Sequence, residues 1–88
     1  MKLDKGVCRE AMDLVEGDRG KDYGTPEEGL GRVAALWGAY LDRPLTVGDA
    51  ARMMLLLKVA RMGRWKKDTY IDAVAYTLIA EASDRHAP

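Results

Sequence analysis

The chain has little of several residue types that would point to a chemistry. It contains one cysteine, one histidine and no phenylalanine among 88 residues. A single cysteine, Cys8, excludes an internal disulfide and any zinc site built from several cysteines. The histidine, His86, lies in a C-terminal tail that we expect to fray, so no Ser-His or Cys-His pair is available for nucleophilic catalysis. We therefore predict no catalytic residues, no metal site and no cofactor.

Excess charge and long apolar runs are also missing. Fourteen basic residues balance fourteen acidic ones, so the net charge does not favour nucleic acid or a membrane surface as a partner. No apolar run reaches the roughly 18 residues of a membrane span, and the first residues lack a signal-peptide core. These absences predict a cytoplasmic protein with no membrane partner.

The length predicts one domain over residues 1–88. A core this small is marginally stable alone, so we expect a homo-oligomer, most simply a two-fold dimer. Residues 1–49 carry ten acidic and seven basic side chains, and residues 50–88 carry four and seven. The halves are therefore complementary, and we expect the basic half of one chain near the acidic half of another.

Apolar periodicity and capping signals predict an all-α fold of four helices. The first covers residues 4–16. The second starts after the N-cap Thr25, with Pro26 at its first position, and continues to Leu41. The third begins at Thr46 and ends at Gly63. The fourth starts after Asp68 as N-cap and ends near residue 84.

The third helix is apolar on all sides in its middle, residues 53–57. Such a helix is typically buried, so we predict that it is the central element of a compact bundle. A charge at Leu56 is then expected to prevent folding, because it would be buried without a partner.

The loop of residues 19–26 could bind an anion. It holds two glycines, a base on each side of the first, and Tyr23, and it ends at a helix N-terminus whose dipole favours negative charge. The alternative is an ordinary interhelical loop in which Tyr23 packs on the second helix as a hydrophobic staple.

Four further residues could complete a site. Lys58 and Arg61 are three apart near the end of the third helix, and Lys58 interrupts the most apolar stretch of the chain. Asp72 and Tyr76 are four apart on the fourth helix. We predict that these four and Tyr23 line one ligand-binding pocket between the third and fourth helices. The alternative is a structural ion pair between Asp72 and Lys58 or Arg61.

Several stretches together resemble a small phage and prophage helical domain family of unknown function, over residues 19–82. They are residues 21–28, 33–37, 53–61 and 68–76. More distantly, the chain is similar to nucleotide-modification-associated phage domains and to MazG-type nucleotide pyrophosphohydrolases. The MazG resemblance implies magnesium held by paired carboxylates. Here Gly31 and Ala75 stand where the second carboxylate of each pair is expected.

The hypothesis favoured by these patterns is a non-enzymatic binding protein in an infected or lysogenic bacterial host. It would bind a nucleotide-like anion or a host factor, and could sequester a nucleotide signal. The alternatives are a magnesium-dependent nucleotide pyrophosphohydrolase and a pure oligomeric interaction protein. DNA binding is disfavoured, because the third helix lacks the polar side chains of a recognition helix.

Overall fold

The computed structural model describes residues 1–17 and 24–88, and these form four α-helices without a strand. They are α1 (Lys5–Glu16), α2 (Pro26–Leu41), α3 (Val47–Ala60) and α4 (Lys67–Arg85). The predicted fold class, all-α with four helices, is confirmed.

Helices α2 and α3 start where the capping signals predicted, and α1 has a side-chain cap at Asp4 that the sequence analysis did not identify. The Asp4 carboxylate accepts from the Gly6 N–H at 2.8 Å, and Thr25 Oγ1 accepts from the Glu28 N–H at 3.1 Å. At α3 the capping box is complete, because Thr46 Oγ1 accepts from the Asp49 N–H at 3.0 Å and Asp49 accepts from the Thr46 N–H at 2.9 Å. Each side chain satisfies a backbone donor that the helix leaves without a partner.

Two predicted boundaries were wrong. Helix α3 ends at Ala60 rather than Gly63, because the Arg61 and Met62 N–H groups donate to carbonyls three residues back and tighten the chain into a turn. Helix α4 starts before Asp68, and its N-cap is Lys66, whose side chain makes no cap hydrogen bond. Asp68 lies in the first turn, where its charge still complements the helix dipole.

Helices α3 and α4 pack on each other and together form the centre of the domain. Helix α1 packs on α4, and α2 packs on α3. Helices α3 and α4 are antiparallel, since Lys58–Asp72 joins them near one end and Arg52–Asp84 near the other.

The core is built from small side chains. One cluster joins α2, α3 and α4 and contains Leu30, Ala34, Ala50, Ala51 and Ala80. A second joins α1 to α4 and contains Ala11, Ile71 and Ala75. Among the described residues, no large side chain is fully buried.

The prediction that α3 is a buried helix was wrong for its apolar middle. Leu56 is 66% exposed, and Met53 and Leu57 are also exposed. The buried positions of α3, Gly48, Ala50 and Ala51, all lie in its first half, where α2 covers it. Helix α4 covers one side of the second half, and the opposite side faces solvent. Within residues 1–17 and 24–88, no helix combines the length and apolar character that crossing a membrane requires.

Candidate functional site

A cavity of about 490 Å³ lies between the four helices and contains three of the predicted site residues. Lys58 reaches it from α3, and Asp72 and Tyr76 reach it from α4. Its remaining wall is mostly apolar and includes Leu14, Leu30, Val33, Ala75 and Ile79. We call this space the interhelical cavity.

Lys58 and Asp72 form an ion pair at the cavity wall. The Nζ atom lies 3.0 Å from Asp72 Oδ2, and the side chains are 16% and 34% exposed. A lysine in an apolar stretch extends its methylene stem along the apolar surface and keeps its ammonium at a polar partner. The ion pair between Asp72 and Lys58, which the sequence analysis gave as the alternative to a ligand-binding site, is therefore present. It also borders a cavity large enough for a ligand.

Gly24 and Thr25 also line the cavity, next to the N-terminus of α2. Gly24 has a φ of 79°, the left-handed conformation that glycine adopts without strain. The requirement for glycine comes from this backbone conformation, because the Glu28 carboxylate, 2.8 Å from where a Cβ would lie, ends a flexible exposed side chain that can move aside. The chain therefore needs a glycine to enter α2 beside the cavity.

One predicted site residue is not brought to the cavity, and another lies outside the described residues. Arg61 is exposed and does not line it, because α3 ends at Ala60 and Arg61 belongs to the following turn. Tyr23 and the loop residues 19–22 lie outside the residues that the structure describes.

Sequence reasoning missed an acidic cleft of about 560 Å³ between α1 and α4. Glu10 and Asp13 border it from α1, and Asp68 and Asp72 border it from α4. The packing of α1 against α4 places these acids opposite each other, and that packing leaves no local signal in the sequence. In the described part of the chain, no three ligating side chains are grouped so that they could hold a metal ion.

Lys67 forms ion pairs beside the acidic cleft. Its Nζ lies 3.2 Å from Glu10 Oε2 and 3.5 Å from Asp4 Oδ2. The hydrogen bond to Glu10 and the charge of Asp4 raise the pKa of Lys67 above its usual value. These contacts tie the start of α1 to the start of α4.

Four helices around a cavity with an ion pair at its wall define a small all-helical domain, and comparison with known proteins identifies the family. The chain belongs to the family described as a domain of unknown function (DUF6378), whose match covers residues 6–84. The predicted resemblance to a small phage family is thereby confirmed. The more distant likenesses to nucleotide-modification-associated and MazG-type domains receive no support.

Two curated phage proteins match most of the chain. The Gene 55 protein of Mycobacterium phage L5 is 39% identical over 78 residues, which are 85% of this chain and 50% of the relative. The Gene 55 protein of Mycobacterium phage D29 is 32% identical over 76 residues, 84% of this chain and 50% of the relative. The chain therefore spans about half the length of these relatives. No solved structure matches it significantly.

Proposed function

We propose that the chain is a non-enzymatic phage protein that binds a small nucleotide-like anion in the interhelical cavity, inside the infected bacterium. The observation that carries the proposal is the Lys58–Asp72 pair, which lies 3.0 Å apart at the wall of an otherwise largely apolar space. Burying charged groups costs free energy, and an apolar residue at position 58 would serve the fold at least as well. The presence of lysine there therefore supports a role in binding.

The cavity suits a ligand with a planar apolar part and an anionic part. Its volume of about 490 Å³ falls in the range of about 300–1,000 Å³ that is common for small-molecule sites. Leu14, Val33 and Ile79 offer apolar contacts to a ring, and Tyr76 adds an aromatic side chain. An anionic group would compete with Asp72 for the ammonium of Lys58, and the positive end of the α2 dipole beside Thr25 would add to the attraction.

The two halves of the ion pair give opposite expectations. Lys58→Met should weaken binding at least about tenfold, because a charge-assisted contact contributes about 1.5–3 kcal/mol and tenfold corresponds to about 1.4 kcal/mol. Asp72→Asn should strengthen binding, because it frees the ammonium for the ligand. Arg61→Met is the matched control, since it removes a cation three residues away that does not line the cavity.

The test is calorimetric titration of the parent chain and the three variants with ribonucleoside and deoxyribonucleoside mono- and triphosphates. If no nucleotide binds the parent chain, the proposal is wrong. If Lys58→Met and Arg61→Met weaken binding equally, the anion is held by surface charge rather than in the cavity. Magnesium-dependent release of pyrophosphate would instead identify the pyrophosphohydrolase alternative.

We also propose that the chain self-associates. An interaction role is favoured by the exposed apolar side chains of α3, including Leu56 and Leu57. Monomeric proteins seldom leave such side chains adjacent to each other in water without a partner. A host protein would be an alternative partner, and the oligomeric state of the purified chain separates the two.

A further inference from the structure

The second half of α3 carries an apolar stripe on its solvent side. Met53, Leu56, Leu57 and Ala60 are all exposed, and they recur at steps of three, four and seven residues. This spacing places them on one face over about 10 Å of helix. The less exposed positions Ala51, Leu55 and Lys58 lie on the opposite side, which faces the other helices. The stripe is therefore a second apolar face in addition to the one that packs in the core.

We infer that this stripe is the interface of a homodimer in which α3 packs antiparallel against α3 of a second copy, across a two-fold axis between Leu56 and Leu57. The inference rests on the self-association proposed above and identifies its surface. In a two-fold interface a contact between two positions occurs twice. Leu56 then meets Leu57 of the partner subunit, and Met53 meets Ala60 of the partner subunit.

The charges at the two ends of α3 support this arrangement. At its start, Arg52 donates to Asp49 at 2.9 Å and to Asp84 at 2.7 Å, so two carboxylates surround one guanidinium. After its end, Arg61 and Arg64 make no salt bridge with any residue that the structure describes. The start of α3 therefore carries an excess of negative charge, and the segment after its end carries an excess of positive charge.

The antiparallel register brings these ends together. It places the start of α3, where Asp49 and Asp84 lie, near the turn that carries Arg61 and Arg64 of the partner subunit, once on each side of the axis. Arg61 of the partner subunit approaches Arg52, whose charge is already balanced by its two carboxylates. Antiparallel helices also align their dipoles favourably. A parallel pairing would instead place the arginines of both copies at the same end.

The size of the surface predicts a dimer that dissociates on dilution. Helix α3 has 14 residues and is about 21 Å long. One helix pair of this length buries less than the about 800 Å² per partner of a standard interface. Association is therefore expected at micromolar concentration and should weaken below it.

The first test is sedimentation velocity over a concentration series. The parent chain should reach the dimer mass, and Leu56→Asp should remain a monomer with an unchanged helical circular dichroism spectrum, because position 56 is exposed in the single chain. Leu36→Asp on α2 is the matched control, since Leu36 is an exposed leucine outside the stripe, and it should still dimerise. A parent monomer at every concentration would overturn self-association and the interface together. A dimeric Leu56→Asp would overturn the interface alone.

Cysteine cross-linking tests the register independently and does not require Leu56→Asp to fold. The exposed Cys8 is first replaced by serine. Met53→Cys and Ala60→Cys chains are then mixed and oxidised, and the antiparallel register predicts a disulfide between the two different variants. Disulfides that join two Met53→Cys chains instead would show a parallel pair. Equal cross-linking by a Leu36→Cys control would show random collision, and either result would overturn the inference.

Discussion

Gly29 and Gly38 lie on the same helix, but the structure gives them different roles. The sequence predicts that each glycine weakens α2 by roughly 1 kcal/mol relative to alanine. A Cβ at Gly29 would meet nothing within 4 Å, whereas a Cβ at Gly38 would lie 2.8 Å from the Arg43 carbonyl oxygen. Gly38 is therefore required by the chain that returns past the end of α2, and Gly29 is not.

Alanine substitution should separate these roles. Gly29→Ala should raise the free energy of unfolding by up to about 1 kcal/mol, the gain in helix propensity. Gly38→Ala should lower it by about 1–3 kcal/mol, because the methyl group would collide with backbone that cannot rotate away. Urea unfolding followed by circular dichroism measures both. Equal stabilisation by the two substitutions would contradict the close approach at Arg43.

Lys58 and Arg61 show how far a site can be predicted from local sequence. Lys58 stood out because a charge in an apolar run needs a partner, and that partner, Asp72, was among the predicted residues. Arg61 was expected to share its face, but this assumed that the helix continues to Gly63. The helix ends at Ala60, so Arg61 lies in a turn away from the cavity.

The sequence predicted the start of a helix where a side chain supplies the N-terminal cap. It did not predict the start of α4, where a contact with a distant part of the chain fixes the first residue. Thr25 and Thr46 accept the expected backbone hydrogen bonds. At α4, Asp68 has the right chemistry for a cap, but the helix begins one residue earlier at Lys67, whose ammonium contacts Asp4 and Glu10 of the first segment. Those contacts depend on the packing of α1 against α4, which no local pattern encodes.

The capping box of α3 should make stability depend on acid. The hydrogen bond from the Thr46 N–H and the one from Arg52 lower the pKa of Asp49 below its ordinary value of 3.8. Because the folded-state pKa is the lower one, the stabilisation is fully present above the ordinary value and is lost as pH falls through the lowered value. Asp49→Asn should reduce the loss of stability at low pH, as followed by thermal unfolding across pH. An acid dependence identical to that of the parent would show that other carboxylates account for it.

Removing the threonine of the α3 capping box, Thr46, gives a separate prediction. Thr46→Ala should lower the free energy of unfolding by about 1 kcal/mol, because the Asp49 N–H loses its acceptor. Thr69→Ala, at a half-buried position inside α4 that caps no helix, is the control and should cost less. Equal losses in urea unfolding would mean that the cap contributes nothing beyond the removal of a threonine side chain.

The folded chain as a whole has a core too small to bury all of its apolar residues. Within residues 1–17 and 24–88, the fully buried side chains are those of Ala11, Ala50 and Ala51, and helix α1 is joined mainly to α4. The apolar run of α3 predicted burial, but Met53, Leu56 and Leu57 are exposed, because no described helix covers the solvent side of its second half. An apolar helix face can be covered by helices of the same chain or by another chain. Which of the two occurs depends on how many helices of the chain remain to pack on that face, and the spacing of apolar residues does not contain this information.

A dimer formed through α3 should therefore contribute to the stability of each chain. Binding that occurs only in the folded state raises the apparent stability with concentration. The melting temperature of the parent chain should rise over a concentration series, and that of Leu36→Asp should rise in parallel. Leu56→Asp should melt at a lower temperature that does not change with concentration, because its aspartates would face each other near the two-fold axis. Differential scanning calorimetry measures all three. A parent melting temperature independent of concentration, with dimer present by sedimentation, would show that unfolded chains associate as well and that the contact is not specific to the folded stripe.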